Sequence, residues 1–182
     1  IRKITSAGVV TTLAGSGSSG SADGTGTAAS FDNPEGVAVD GSGNVYVADR
    51  NNHLIRKITS AGVVTTFAGT GSSGSADGTG TAASFYNPYG VAVDGSGNVY
   101  IGDYDNNLIR KITSAGVVTT FAGTGSSGSA DGTGTAASFN GPAGVAVDVS
   151  GNVYVADRNN YLIRKITSAG VVTMLAGTGS SG

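Results

Sequence analysis

The 182-residue sequence has no cysteine, no tryptophan, one histidine and three prolines. Without cysteine it has neither a disulfide framework nor thiol chemistry. Charged residues make up 12% and the net charge is −2, so no basic field is available to attract nucleic acid or an anionic membrane. No apolar run reaches the length of about 18 residues that a membrane-spanning helix needs. We therefore expect neither a nucleic-acid nor a membrane partner.

Glycine is abundant, with 32 residues, and the apolar residues, 38% of the chain, occur in strand-sized clusters. This pattern favours a folded β protein with long glycine-rich loops over a disordered chain. The scarcity of lysine, the many small hydroxyl residues and the lack of thiols favour an extracellular or cell-surface location.

One stretch, Gly36–Ile58, recurs in close copies at Gly90–Ile112 and Gly144–Ile166, a spacing of 54 residues. Repeats of this kind indicate a solenoid or a propeller. The first residues, Ile1–Ile4, match Ile55–Ile58, which lie inside a predicted strand. The chain therefore begins within a repeat, and we interpret it as a segment of something longer.

The period divides the chain into a partial repeat, three complete units and three connectors. These are residues 1–14; 32–68, 86–122 and 140–176; and 15–31, 69–85 and 123–139. The connectors are rich in glycine and serine and are expected to be loops, with one helical turn at Thr27–Phe31 that places Phe31 against the sheet. Each unit predicts four antiparallel strands joined by tight polar turns. In the first unit they are Gly36–Asp40, Asn44–Asp49, His53–Ile58 and Val63–Ala68.

Both faces of each predicted sheet are largely apolar. Alternation places Ala38 and Tyr46 on one face, and we expect the stem of Arg56 to lie beside Tyr46, with Asp49 or a neighbouring blade as the partner of the guanidinium. A lone sheet of this kind would not be stable in water, so copies must cover one another. The prediction is an all-β propeller of three full four-stranded blades, preceded by the outer hairpin of another. Three blades cannot close a ring, so further blades, from a longer chain or a homo-oligomer, are expected.

The repeated text, Asn-Pro-x-Gly-Val-Ala-Val-Asp-x-x-Gly-Asn-Val-Tyr-Val-Ala-Asp-x-x-Asn-x-Leu-Ile-Arg-Lys-Ile, resembles the NHL repeat, most closely its long-loop bacterial forms. The third copy departs from it at Gly141, where the others have Asn33 and Asn87. The resemblance implies a β-propeller, often of six blades, that acts as a binding platform. It says little about the partner.

The copies differ mainly in two short segments, although residues 54–85 and 108–139 are identical. One segment leads into the first strand of the unit, and the other joins its second and third strands. Antiparallel pairing brings both to the same end of a blade, and binding surfaces lie on loops held by a rigid scaffold. We call this end the variable rim and predict that it contacts the ligand. Its residues are Asp32, Glu35, Arg50, Asn51, His53, Tyr86, Tyr89, Tyr104, Asp105, Asn107, Asn140, Arg158, Asn159 and Tyr161.

The sequence predicts no catalytic residue, no metal site and no cofactor. His53 is replaced by Asn107 and Tyr161 in the other copies, and Glu35 is the only glutamate. Metal-dependent propeller lactonases resemble this architecture, but they need acidic and amide ligands that converge on the axis, and no consistent set of this kind is visible. We therefore predict that the protein is not an enzyme.

Three functions remain in order of preference. The first is a non-catalytic repeat scaffold that binds a protein or glycan through the variable rim. The second is a structural subunit of an extracellular fibre or surface assembly built by blade stacking. The third, less favoured, is a metal-dependent propeller lactonase or hydrolase.

Overall fold

The computed structural model describes residues 1–181, which form antiparallel strands joined by turns. A hairpin of β1 (Arg2–Ile4) and β2 (Val10–Thr12) begins the chain, and three larger sheets follow, one for each predicted unit. Within residues 1–181 the helical elements are short 3₁₀ turns, and none offers a helix that could cross a membrane. The all-β fold predicted from the sequence is confirmed.

Each larger sheet is one blade, and its four long strands follow chain order from the inner to the outer edge. The first blade contains β4 (Pro34–Val39), β5 (Val45–Asp49), β6 (Leu54–Ile58) and β7 (Val63–Ala68). The second contains β9 (Pro88–Val93), β10 (Val99–Asp103), β11 (Leu108–Ile112) and β12 (Val117–Ala122). The third contains β14 (Pro142–Val147), β15 (Val153–Asp157), β16 (Leu162–Ile166) and β17 (Val171–Ala176).

The connectors are not simple loops, because each adds a short fifth strand to the blade that follows it. In the first connector β3 (Gly24–Thr25) pairs with the outermost long strand, with Gly24 opposite Val64. The equivalent strands are β8 (Gly78–Thr79) and β13 (Gly132–Thr133). A 3₁₀ turn at Gly26–Ala28 follows and leads Phe31 into the core, where it is 7% exposed. The burial of Phe31 is confirmed, but the helical turn lies at Gly26–Ala28 and not at the predicted Thr27–Phe31.

The predicted position of Arg56 beside Tyr46 was wrong. Arg56 pairs with Val47 across the sheet, and Lys57 pairs with Tyr46. Residues directly opposite each other in an antiparallel pair share a face. The ammonium group of Lys57 accordingly lies 5.5 Å from the centroid of the Tyr46 ring, and Arg56 lies on the other face.

The turn after Asp49 explains the exchange of faces. Four residues, 50–53, separate Asp49 from its cross-strand partner Leu54, and His53 adopts a left-handed conformation with φ of 55°. A register shift of one residue moves every side chain of a strand to the opposite face. The predicted contact between Arg56 and Asp49 is nevertheless confirmed, at 2.8 Å.

The blades pack face to face in chain order. Phe85, which no solvent reaches, lies in the core between the first and second blades together with Ile55 and Ile101. Phe139 has the same role between the second and third blades. The N-terminal hairpin packs on the first blade through Ala14. The apolar faces between successive blades are thus covered by the neighbouring blade, as the repeat pattern predicted.

Glycine allows the innermost strands to approach closely. A Cβ atom at Gly36 would overlap the carbonyl oxygen of Tyr89, and one at Gly90 would overlap that of Ala143. The start of β9 therefore lies close to the start of β4 on one side and to the start of β14 on the other. This proximity brings the variable segments of successive blades within reach of each other.

The stack of blades in residues 1–181 is open at both ends. Ile163 on the outer face of the third blade is 41% exposed, whereas the equivalent Ile55 and Ile109 are fully buried between blades. Val37 on the first blade is 53% exposed, whereas the equivalent Val91 is 7% exposed. The faces at the two ends are those that internal blades use to pack.

Candidate functional site

The two variable segments lie side by side in every blade. The amide of Asn51 donates to the carbonyl of Asp32 over 3.1 Å, and equivalent bonds of 3.2 and 3.0 Å join the segments in the other two blades. None of the fourteen side chains predicted for the variable rim is buried. The rim on which the prediction depended is therefore present as one surface along three blades.

A buried set of side chains supports the rim from beneath. Asp49 is inaccessible to solvent, and its Oδ1 accepts the amide of Asp32 at 2.7 Å. Its Oδ2 accepts Nδ2 of Asn52 at 2.9 Å and the guanidinium of Arg56 at 2.8 Å. The same residue types recur in the other blades. We call this set the polar frame; it comprises Asp49, Asn52 and Arg56; Asp103, Asn106 and Arg110; and Asp157, Asn160 and Arg164.

The arginine of each polar frame also fixes the connector. Arg56 donates to the carbonyls of Ser30 and Ala22, both at 3.1 Å, and binds the carboxylate of Asp23 at 2.7 Å. A buried cation needs a partner because its desolvation is costly. One guanidinium thus joins the connector, the turn below the rim and the sheet.

Burial raises the pKa of Asp103 to about 6. Hydrogen bonds from Asn106 and from the amide of Tyr86, together with the charge of Arg110, act in the opposite direction and favour the carboxylate. The polar frame of the second blade therefore contains an acid that is harder to ionise than a free one.

Two predicted rim residues connect neighbouring blades. His53 and Asn107 occupy the same left-handed position after the turn, with φ of 55° and 54°. Nδ1 of His53 accepts the amide of Asn87 at 3.2 Å, and Oδ1 of Asn107 accepts the amide of Gly141 at 2.9 Å. Both side chains therefore serve the scaffold while remaining partly exposed. Tyr161 has the same conformation in the third blade and is 56% exposed.

Polar pairs bridge the two variable segments at their exposed edge. In the first blade Nδ2 of Asn51 donates to Asp32 at 3.1 Å, and in the third Nδ2 of Asn159 donates to Asn140 at 3.4 Å. In the second blade Tyr86 occupies the position of Asp32 and Asn140, and the neighbouring Asn87 donates to the carboxylate of Asp105 instead. A polar contact joins the two segments in each blade, although its position and residue types change.

Tyrosines form the centre of the rim. The rings of Tyr89 and Tyr104 lie 5.8 Å apart, inclined by 37°. Arg50 of the first blade lies over Tyr89, and Arg158 of the third blade lies over Tyr104, at 5.7 and 5.9 Å from the ring centroids. Tyr86 is 42% exposed and meets the edge of His53 at 5.6 Å. Side chains of three blades thus form one contiguous aromatic and cationic surface.

Two residues of the rim were not predicted. Asn87 bonds both His53 and Asp105, and Gly141 leaves room for its neighbours: a Cβ atom there would lie 2.5 Å from Nδ2 of Asn159. Both positions have positive φ, 52° and 61°. Asparagine and glycine tolerate this conformation best, so their exchange between copies was the available signal.

His53 and Glu35, the residues considered as catalytic candidates in the sequence, both make contacts within the chain. Nδ1 of His53 accepts an amide, and Glu35 binds Arg50 at 3.7 Å and accepts a hydrogen bond from Asn33. Within residues 1–181 no group of three or more histidine, aspartate or glutamate side chains is arranged to hold a metal ion.

Blades stacked around closely spaced inner strands define the chain as part of a β-propeller. Comparison with family models identifies an NHL repeat in each blade, at residues 31–58, 85–112 and 139–166. The chain therefore carries three NHL repeats, and the resemblance deduced from its sequence is confirmed.

Similar proteins are longer than this chain. Protein SUPPRESSOR OF QUENCHING 1, chloroplastic, of Arabidopsis thaliana is 39% identical over 94 residues, 51% of this chain and 9% of that protein. A structural genomics protein of unknown function from Bacteroides thetaiotaomicron matches with a TM-score of 0.70 and 26% identity, over 92% of this chain and 39% of that one. An auxiliary nutrient binding protein of the same organism gives 0.65 and 28%, over 76% and 36%.

Proposed function

We propose that the chain is a non-catalytic repeat scaffold that binds a protein or glycan ligand through the variable rim. One observation carries the proposal: near-identical copies differ mostly at positions that fold into one partly exposed surface. Drift at tolerant positions would also alter exposed loops such as residues 72–81, which are identical to residues 126–135. Ligand recognition accounts for variation that is concentrated at the rim.

The composition of the rim supports a binding role. Tyrosine and arginine are the residues most often found at the energetic centres of interfaces. Tyr89 and Tyr104 are held by Arg50 and Arg158, so little side-chain freedom is lost on binding. The auxiliary nutrient binding protein of Bacteroides thetaiotaomicron is one structural relative, which agrees with a binding scaffold. The composition of the chain favours a place at the cell surface or outside the cell. Since the chain spans 36% of that protein, the function of the whole remains part of the proposal.

A comparison of two triple variants tests the proposal. The immobilised chain is screened against a displayed library of random peptides and against a glycan array. We expect alanine at Tyr86, Tyr89 and Tyr104 together to abolish the binding that is found. Alanine at Ser42, Ser96 and Ser150, which are exposed at the opposite end of the blades, should leave it unchanged. Binding that survives the tyrosine replacements in a folded variant would exclude the rim as the contact surface.

The exposed faces at the ends of the stack support a second candidate, a structural subunit that assembles by blade stacking. Ile163 and Leu175 on the third blade are 41% and 55% exposed. A further blade, from this chain or another, would bury them as Ile109 is buried. Light scattering distinguishes the two functions: an open-ended size distribution that Ile163→Glu abolishes favours assembly, and a single discrete mass favours the scaffold.

A further inference from the structure

The two arginines at the centre of the variable rim differ in charge compensation. Both stack on the tyrosine pair of the second blade, Arg50 from the first blade and Arg158 from the third. Arg50 pairs with Glu35 at 3.7 Å. In the part of the chain that the structure describes, no carboxylate pairs with the exposed Arg158. One end of the tyrosine pair is therefore neutralised and the other carries an uncompensated cation.

Changes in the third copy remove the acids that would compensate Arg158. The first copy has Asp32 and Glu35 in the segment that precedes its first strand, and the third copy has Asn140 and Ala143 at those positions. The turn residue itself, arginine, is the same in both copies. The charge is retained while its internal partners are lost, and this leaves the guanidinium free for a partner outside the chain.

Contacts within the chain position the groups around Arg158. The hydroxyl of Tyr104, over which Arg158 lies, is 3.4 Å from Oδ1 of Asn159. The ring of Tyr104 rests on the backbone at Gly141, where a Cβ atom would come within 2.9 Å of it. A guanidinium that lies over a ring keeps the N–H groups at its edge available for a planar, bidentate acceptor.

We propose that Arg158 and Tyr104 form a subsite for the carboxylate of an acidic side chain on a protein partner. The inference rests on the proposed binding function and deepens it by naming the ligand chemistry. A carboxylate matches the fork of the guanidinium and supplies the missing negative charge. An acidic sugar offers the same group but binds aromatic residues through open ring faces, and Arg50 and Arg158 already lie over the faces of Tyr89 and Tyr104.

Peptides selected from a random displayed library on the immobilised chain provide the probe. The tightest binder is synthesised together with versions in which each Asp or Glu becomes Asn or Gln. Affinities are measured for the wild type, Arg158→Ala, Arg158→Lys and the control Ser150→Ala. We expect selected peptides to share an acidic residue, and Arg158→Ala to weaken binding by about tenfold or more, as for other charge-assisted contacts.

A double-mutant cycle distinguishes a direct contact from an indirect effect. Neutralising the critical acid in the peptide should have no further effect in the Arg158→Ala chain, and Arg158→Lys should recover only part of the affinity. Thermal unfolding of each variant should match the wild type, since Arg158 is exposed.

The subsite is overturned by the lack of any peptide binder, by binders without an acidic residue, or by full affinity in Arg158→Ala. Binding of uronic-acid oligosaccharides in place of peptides also overturns it, and assigns the subsite to a glycan. The proposed function fails separately, when replacement of the three tyrosines has no effect. A loss of binding in the triple-tyrosine variant with full affinity in Arg158→Ala therefore refutes the subsite alone.

Discussion

The polar frame and the variable rim are made by the same turns, yet one is identical in all blades and the other differs. In the first blade Asp49 and Asn52 belong to the frame, and Arg50 and Asn51 between them belong to the rim. Both carboxylate oxygens of Asp49 bind groups of its own blade, so a replacement would leave buried donors unsatisfied. Whether a position tolerates substitution therefore depends on the hydrogen bonds that its side chain makes. Residues adjacent in sequence can differ fully in this respect.

The largest difference in stability is expected when one arginine is removed from the polar frame and one from the variable rim. Arg110→Met leaves the buried carboxylate of Asp103 without its cation, which should lower the free energy of unfolding by about 3–5 kcal/mol. Arg158→Met in the rim should change it by less than about 0.5 kcal/mol. Urea unfolding of the two variants measures both. Equal losses would show that the frame is no more essential to the fold than the rim.

The frame of the second blade should also make the stability of the chain depend on pH. The pKa of Asp103 is about 6 in the folded chain and about 3.9 in an unfolded one, so the folded state holds this proton more tightly. Its contribution to stability is fully present below about pH 4 and is lost as the pH rises through 6, by roughly 1–3 kcal/mol. Asp103→Asn should remove that decline from a urea-unfolding series between pH 4 and 7. An unchanged slope in the variant would assign the decline to other groups.

Gly141→Asn tests whether the packing of Tyr104 and Asn159 against the third blade requires a residue without a side chain at position 141. Asparagine accepts the positive φ, as Asn33 and Asn87 do, but its side chain would meet Tyr104 and Asn159. We expect a loss of about 1–3 kcal/mol from overpacking. The double variant Tyr104→Arg with Gly141→Asn recreates the junction of the first two blades and should recover most of that loss. If the double variant recovers no stability, the loss in Gly141→Asn does not come from a clash with Tyr104.

His53 is a rim residue that also joins two blades, and its replacement should have the smallest effect on stability. His53→Ala removes the acceptor of the Asn87 amide and should cost about 1 kcal/mol, the usual worth of one hydrogen bond. His53→Asn should be nearly neutral, because Asn107 makes the equivalent hydrogen bond between the second and third blades. Thermal unfolding distinguishes them; equal losses would mean that the hydrogen bond between blades contributes nothing.

The sequence predicted the blades well because the same apolar alternation recurs three times. It did not predict the face of Arg56, because His53 adopts a left-handed conformation and belongs to the turn. One additional turn residue shifts the strand register by one and moves each side chain to the other face. The two-residue strand at Gly24–Thr25 has no periodicity to detect. At the rim, comparison of the copies located the variable positions. The meeting of Arg50 and Arg158 on one tyrosine pair depends on the spacing of the blades, which no single repeat encodes.

The short strand contributed by each connector defines where one structural module begins and ends. Gly24–Thr25 pairs with Val63–Val64, so residues 15–68 contain every strand of the first blade. A duplication or deletion of one such length would add or remove an entire sheet without cutting a hydrogen-bonded ladder. Blade number in this architecture can therefore change in whole steps, and each added copy would bring a new sector of rim that is free to diverge.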